Sequence, residues 1–197
     1  MRWNDCPDLS MQKKLRKIPT SQSLTNVALH YLGCYAASEA SLRRVLTNRL
    51  RRAAMDHPEF TAATETYRAL LDAIEKIIAS HKRTGALNDE AFAETKVNSL
   101  RRQGRSRRVI QQKLGIKGIR GDIVVAALER NADGADSDEV ELKAAMALAR
   151  RRKLGAFRKT SADEDRKRKD FAALARAGFS SGIARRVLQA EAPEEWD

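Results

Sequence analysis

The residues of this chain with the clearest chemical potential are its arginines and lysines, which are concentrated in a few stretches. Nine basic residues and no acid lie between Lys96 and Arg120, and further basic runs occupy 43–52, 150–153 and 166–169. Guanidinium and ammonium groups gathered in this way bind phosphates or carboxylates. The steepest charge in the sequence therefore predicts contact with a polyanion such as nucleic acid, or with an acidic protein surface.

The candidate contact residues are all basic, and the five arginines around one predicted helix turn, at 101–108, are expected to converge on one edge. The full set of candidates for binding a filament or DNA is Arg43, Arg44, Arg101, Arg102, Arg105, Arg107, Arg108, Lys113, Arg150, Arg151, Arg152, Lys153, Arg185 and Arg186. The alternative is that these runs are the solvated faces of amphipathic helices. A solvated face usually mixes both signs of charge, whereas these runs would repel one another without an anionic partner.

Patterns that support catalysis are not found in the sequence. There is no Gly-rich phosphate loop and no GxSxG motif. Cys6 and Cys34 are the two cysteines, and the three histidines are scattered, so neither a disulfide framework nor a zinc cluster is expected. Asp163, Glu164 and Asp165 point in different directions on a helix and fit an N-cap better than a metal site. We therefore expect no enzyme activity, no cofactor and no metal.

The overall charge agrees with the local pattern. The chain has 197 residues, with 38 basic and 26 acidic side chains, which gives a formal charge of +12. Aromatic residues make up only 5%, so stacking on single-stranded bases and base-specific readout are not expected, and binding should depend strongly on salt. No apolar stretch suits a signal peptide or a membrane span. A soluble, cytoplasmic monomer is the expectation.

The apolar residues recur with the period of an α-helix, and no stretch sustains the alternation of a strand. About nine helices and an all-α fold are predicted, the strongest signal lying at 67–78. Ser38, Thr61, Asn88 and Ser106 are predicted N-caps. Residues 131–141 contain five acids and no base, which is typical of a solvated linker that ends in a helix start.

A repeated pattern of leucine, small residue, serine and leucine occurs three times. The aligned segments are YLGCYAASEASLRRVL, SLRRQGRSRRVIQQKL and ALARAGFSSGIARRVL. The alignment equates Ser38 with Ser106 and Ser180, and it equates Ala36 with Gly104 and Gly178. Because such units bury their apolar faces only by stacking, the pattern favours a tandem helical repeat over one globule.

The organisation that follows has five parts. They are a basic, poorly ordered arm at 1–22, helical repeat 1 at 23–83, helical repeat 2 at 84–131, helical repeat 3 with an acidic linker at its start at 132–190, and an acidic tail at 191–197. The match fixes two helices in each repeat, and the third helix is inferred.

The order of these motifs resembles the bacterial regulatory protein RecX family over residues 24–190. The matching pieces are ALHYLGCYAASEASLRRVL, the connector GALNDEAFAE, SLRRQGRSRRVIQQKLGIKGI and DFAALARAGFSSGIARRVL. The resemblance implies three tandem three-helix units in an elongated, curved array. It also implies a protein that lodges in the groove of the RecA recombinase filament on DNA and restrains strand exchange and ATP hydrolysis.

Three hypotheses for function stay open at this point. The first is a non-catalytic regulator of the RecA nucleoprotein filament that contacts single- or double-stranded DNA without sequence preference, through many weak contacts. The second is a helix-turn-helix transcription regulator, because the Arg-rich helix that begins at Ser106 could enter a major groove. The third is an α-solenoid scaffold that recognises protein alone.

Overall fold

The computed structural model describes residues 15–158 and 163–190, and this part of the chain contains nine α-helices, one short 3-10 turn and no strand. The helices are α1 (Ser21–Cys34), α2 (Glu39–Ala54), α3 (Glu65–Arg83), α4 (Asp89–Arg102), α5 (Arg107–Ile116), α6 (Gly121–Ala132), α7 (Ser137–Arg152), α8 (Glu164–Arg176) and α9 (Ser181–Gln189), with the 3-10 turn at Gly155–Phe157. The prediction of an all-α fold with about nine helices is confirmed.

Side-chain capping explains where most of these helices begin. Ser38, Asn88 and Ser106 each accept a hydrogen bond from a backbone N–H in the first turn, as the sequence predicts. Such a bond satisfies a donor that has no partner within the helix. The prediction of Thr61 as the cap of α3 is wrong, because Thr64 occupies that position and accepts from Tyr67 N.

Three consecutive bundles, each of three helices, have separate apolar cores. We call α1–α3 the first bundle, α4–α6 the second and α7–α9 the third. Their fully buried side chains include Leu42, Leu46 and Ile74 in the first core, Val97, Ile110 and Leu114 in the second, and Leu148, Leu174 and Val187 in the third. Three cores in sequence order give an elongated tandem repeat, as expected for units that stack.

The third copy of the sequence repeat occupies a different place in its bundle. The copies at Ser38 and Ser106 lie between the first and second helices of their bundles, whereas Ser180 lies between the second and third. By helix order Ser180 corresponds to Arg120, and Ser106 corresponds to Asp163, the N-cap of α8. The alignment was wrong in this respect because a small residue followed by a cap marks any tight turn between helices.

Residues 1–14 of the predicted arm at 1–22 lie outside the described residues. The remainder packs on the first bundle, and α1 begins at Ser21 after the N-cap Thr20. Arg16 N donates to Asp56 Oδ2 at 3.0 Å, and Arg16 Nη1 donates to the carbonyl of Arg52 at 3.2 Å. The end of α2 is thus covered by the chain's own preceding segment. The predicted acidic tail at 191–197 lies outside the described residues.

Among the described helices, none has the length and the apolar character that crossing a membrane requires.

Candidate nucleic-acid interface

The basic residues are held in place by two joints, which are the contacts between consecutive bundles. At the first joint, between the first and second bundles, the buried Ser38 hydroxyl donates to the carbonyl of Lys117 at 2.6 Å. Beside it, Glu39 N donates to Asp89 Oδ1 at 2.9 Å. The start of α2 is therefore capped partly by its own serine and partly by a carboxylate of the second bundle.

The second joint, between the second and third bundles, repeats this chemistry. The buried Ser106 hydroxyl donates to the carbonyl of Ala177 at 2.7 Å, and Arg107 N donates to Glu141 Oε1 at 2.8 Å. This joint also contains an ion pair, which Arg101 Nη1 forms with the same Glu141 oxygen at 2.5 Å. The Arg101 and Glu141 side chains are only 11% and 14% exposed, so each charge depends on the other.

Glycines allow the close approach of the bundles at both joints. Gly118 has φ +76°, and a Cβ there would lie 2.2 Å from the Cβ of Ala40 on α2. Gly104 has φ +70°, and a Cβ there would lie 2.6 Å from Leu148 N and 2.7 Å from the Ala144 carbonyl on α7. The first contact is with a side chain and the second is with backbone, so the second joint has less room to adjust.

The five arginines at 101–108 do not converge on one exposed edge as the sequence predicts. Arg101 lies inside the second joint, and Arg105 and Arg107 are half-buried. The Nε atoms of Arg101 and Arg105 are buried without a hydrogen-bond partner in the described part of the chain. Arg102 and Arg108 are exposed, so these two are the members of the group whose guanidinium groups can reach a large partner.

Arg43 and Arg44, the candidates in the first bundle, are both engaged. Arg43 pairs with Glu39 and with Glu75, each at 2.8 Å. The hydrogen bonds that Arg43 donates to the Glu75 carboxylate are the main cause that raises the pKa of Arg43, and Arg43 in turn lowers the pKa of Glu75. The pKa of Glu39 is lowered by Lys82 first and by Arg43 second. Arg44 Nη2 donates to the carbonyl of Ile116 at 3.0 Å, which ties α2 to the end of α5.

The remaining candidates are exposed and have no ion pair with any carboxylate in the described ranges. They are Lys113 on α5, Arg150, Arg151, Arg152 and Lys153 at the end of α7, and Arg185 and Arg186 on α9. Unpaired cations at the surface retain their full attraction for an anion, because no local carboxylate has to be displaced. Together with Arg102 and Arg108 they form the free basic set, the name used below for these nine residues. Lys159, next to this set in sequence, lies outside the described residues.

The structure places two acids in positions that the sequence analysis missed, the buried Asp170 and the half-buried Glu141. Asp170 is 3% exposed, accepts from Gly155 N at 2.9 Å and pairs with Arg158 Nη2 at 2.5 Å. The signal for both acids was available, because Asp170 precedes the core residue Leu174 by four positions and Glu141 precedes Ala145 by four. An acid at a core-facing helical position predicts a buried partner.

Metal binding finds no support in residues 15–158 and 163–190, where no group of three or more His, Cys, Asp or Glu side chains could hold an ion.

The chain is similar to known proteins in both sequence and fold. A family model described as the second three-helix domain of RecX matches residues 88–128, which span α4 and α5 and most of α6. Regulatory protein RecX of Myxococcus xanthus is 43% identical over 177 residues, which is 89% of this chain and 89% of that protein. The chain belongs to the RecX family. Regulatory protein RecX of Agrobacterium fabrum is 41% identical over 112 residues, 57% of this chain and 56% of that protein.

The RecX fold is also shared with solved structures. The crystal structure of RecX from Lactobacillus salivarius superposes with a TM-score of 0.61 at 21% identity, covering 86% of this chain and 94% of that one. A second RecX crystal structure gives a TM-score of 0.58 at 22% identity, covering 85% of this chain and 72% of that one. These structures show the tandem helical fold, and the similarity in sequence to regulatory RecX proteins supports a RecX-type regulatory role.

Proposed function

We propose that this RecX protein is a non-catalytic regulator of homologous recombination and DNA repair that binds the RecA nucleoprotein filament. It lies along the filament and inhibits or modulates strand exchange and ATP hydrolysis. Membership of the RecX family supports RecA as the partner. The free basic set is the observation that supports contact with the DNA of the filament. These nine exposed cations belong to the second and third bundles.

The two joints give this proposal its physical basis. Buried hydrogen bonds at Ser38 and Ser106 fix each bundle on the next, so the exposed cations are held at set spacings. A rigid array loses little conformational entropy on binding, and many weak contacts along one polyanion then add through a high effective concentration. Contacts with phosphates carry no sequence information, which fits binding without sequence preference.

The test is to titrate the protein into RecA with single-stranded DNA and to follow ATP hydrolysis and strand exchange. The variant is Arg102→Gln with Arg108→Gln, Arg150→Gln, Arg151→Gln and Arg152→Gln, which removes five unpaired charges and spares Arg101 inside the second joint. We expect the concentration that gives half-maximal inhibition to rise by about tenfold or more, and the salt dependence of binding to fall.

The matched control removes five charges that already have acidic partners at the surface. The control substitutions are Arg120→Gln, Arg130→Gln, Arg166→Gln, Lys167→Gln and Lys169→Gln, whose side chains pair with Asp122, Glu94, Asp163, Glu164 and Asp165. It lowers the net charge equally. Equal loss of inhibition in the two variants would show that total charge matters rather than the free basic set, and unchanged rates with the unmodified protein would contradict the proposal.

The helix-turn-helix alternative is less well supported by the geometry. A recognition helix contacts base edges through its N-terminal residues, whereas the N-terminus of α5 is enclosed in the second joint by Glu141 and Ala177. Footprinting on duplex DNA tests this alternative. If the alternative holds, the protein alone should protect a defined DNA sequence. The protein-only scaffold hypothesis requires an affinity that survives high salt and nuclease treatment.

A further inference from the structure

A groove of 610 Å³ lies between α8 and α9 in the third bundle and combines positive charge with apolar surface. We call it the α8–α9 groove, and it is lined by Gly155, Glu164, Lys167, Arg168, Asp170, Phe171, Arg185, Leu188 and Gln189. Its two acids are already paired, Glu164 with Lys167 at 2.7 Å and Asp170 with Arg158 at 2.5 Å. Arg168 and Arg185 are exposed and pair with no carboxylate in the described ranges.

The half-buried side chains of Phe171 and Leu188 give the groove an apolar component. A site of this type suits a segment that carries both carboxylates and an aromatic ring. Carboxylates bind guanidinium groups through charge-assisted hydrogen bonds, and an indole ring packs on apolar side chains while its edge stays near polar groups. Small anions alone would leave the apolar part unused.

The chain contains such a segment, and it begins beside the groove. Helix α9 ends at Gln189, which lines the groove, and the C-cap Ala190 has extended backbone angles (φ −65°, ψ 134°). The next seven residues, EAPEEWD, carry four acids, one tryptophan and no base. Seven extended residues span up to roughly 23 Å, which is long enough to follow a groove between two short helices.

We propose that the acidic tail, residues 191–197, docks in the α8–α9 groove of its own chain. The tail carboxylates bind Arg168 and Arg185, and Trp196 packs against Phe171 and Leu188. Because the tail is tethered one residue from the groove, its effective concentration there is high, and weak ion pairs suffice to hold it.

Docking gives the tail a regulatory role, and this consequence rests on the proposed function. Arg185 belongs to the free basic set, so a docked tail occupies a cation that would otherwise contact the phosphate backbone. The tail then competes with DNA for the third bundle and weakens binding until a long polyanion, held by the other contacts, displaces it.

The chain has another basic groove, which provides a control. A groove of 710 Å³ in the first bundle is lined by eight residues that include Lys17, Arg49 and Arg52 and no acid. It is formed by the segment before α1 together with α1 and α2. The second bundle lies between this groove and α9 along the chain, so we expect a tail seated there to come from a second copy of the chain.

The docking is tested with Trp196 as a fluorescent probe. The sequence has two tryptophans, so Trp3→Phe leaves Trp196 as the only one. We expect a blue-shifted emission and slow quenching by acrylamide, independent of protein concentration. Adding Arg168→Gln and Arg185→Gln should shift the emission to longer wavelength and make quenching about threefold more efficient, since two ion pairs of modest strength are lost.

The matched control adds Arg49→Gln and Arg52→Gln to Trp3→Phe and should leave the emission unchanged. Circular dichroism checks that each variant retains its helices. The proposal is overturned if Trp196 is as exposed as a free indole, if the control pair moves the signal instead, or if protection grows with protein concentration, which would show docking between two copies.

A second measurement separates the docking from the function. A chain that ends at Ala190 should bind a labelled single-stranded oligonucleotide more tightly than the full chain, by up to about fivefold, which is the limit for a tail that is docked about four-fifths of the time and excludes DNA while docked. Protection of Trp196 together with an unchanged DNA affinity supports the docking and contradicts the role of Arg185 in DNA binding. An exposed Trp196 contradicts the docking whatever the DNA affinity is.

Discussion

The two joints between bundles share the same hydrogen-bonding arrangement but differ by one ion pair. In both, a serine N-cap donates to the last carbonyl of the matching helix in the next bundle, and a carboxylate of that bundle accepts from the first N–H of the capped helix. Asp89, the acid of the first joint, has no ion pair among the described residues, whereas Glu141 also pairs with Arg101, whose side chain is 11% exposed.

This difference shows how two joints of a repeat protein can share one hydrogen-bonding arrangement and still differ in their sensitivity to substitution. The shared serine and carboxylate set the geometry, since they satisfy donors that every helix start exposes. The ion pair of the second joint makes Arg101 and Glu141 interdependent, because removal of one partner leaves a buried charge. We therefore expect the second joint to be the more sensitive to substitution, and the following variants test that expectation.

The largest effect is expected for Glu141→Ala. The substitution removes the partner of Arg101 and the acceptor for Arg107 N, and leaving a buried charge unpaired costs about 3 kcal/mol of unfolding free energy. Asp89→Ala at the first joint removes only the acceptor for Glu39 N and should cost about 1 kcal/mol. Urea unfolding followed by circular dichroism measures both values.

The control for this pair of variants replaces both charges. Glu141→Ala combined with Arg101→Met should recover part of the loss, since no buried charge remains. Equal costs at Glu141 and Asp89, or no recovery in the double variant, would contradict the distinction between the joints.

The next largest loss of unfolding free energy is expected from substitution of the glycines at the two joints. Gly104→Ala and Gly118→Ala should each cost about 2–3 kcal/mol, because both positions have positive φ and both place a Cβ against the neighbouring bundle. At Gly118 the obstacle is the Cβ of Ala40, so Ala40→Gly should restore part of the stability of Gly118→Ala.

At Gly104 the obstacles are backbone atoms of Leu148 and Ala144, and no side-chain truncation removes them. Thermal unfolding of Gly104→Ala, of Gly118→Ala and of Gly118→Ala combined with Ala40→Gly measures the contrast. If Ala40→Gly fails to improve Gly118→Ala, the contact across the first joint is not what limits that position.

Smaller and nearly equal effects are expected at the two serines. Ser38→Ala and Ser106→Ala each remove an N-cap and leave a carbonyl of the next bundle without its serine donor, so we expect about 1–2 kcal/mol from each. Ser180→Ala is the matched control, because Ser180 caps α9 but is exposed and donates to no other bundle in the described residues. It should cost about 0.5–1 kcal/mol, and an equal cost at all three serines would show that capping alone accounts for the loss.

The sequence predicted the local features of the joints but not the pairs across them. Serine followed by an amphipathic stretch is a local signal, so the caps at Ser38 and Ser106 could be read directly. Arg101 and Glu141 are 40 positions apart, and the run of charge around Arg101 is the same whether its side chains face solvent or a neighbouring bundle. Burial depends on how the bundles dock, which a pattern within one helix does not encode.

The register of the third repeat was wrong for a related reason. Gly178 and Ser180 match Gly104 and Ser106 in type and spacing, yet they follow the second helix of their bundle rather than the first. Turns of both kinds need a residue with positive φ and then a cap, so their sequences converge. The family resemblance predicted three units. The separate cores in the structure show which helices belong to each unit.

The smallest effect concerns pH and belongs to the first bundle alone. The pKa of Glu39 is lowered in the folded protein, mainly by its hydrogen bond to Lys82 and then by Arg43. A lowered folded-state pKa means that the stabilisation is fully present above the unfolded value of about 4.3 and is lost as the pH falls through the lower, folded value.

Glu39→Gln should therefore cost up to about 1 kcal/mol at pH 7, since the ion pairs are partly exposed, and this cost should disappear once the pH is well below 4. Urea unfolding of both proteins from pH 7 to pH 3 gives the two curves, which should meet at the acid end. Curves that stay parallel throughout would mean that Glu39 acts through its shape and hydrogen bonds rather than its charge, and that the network around Arg43 adds no acid sensitivity to the first bundle.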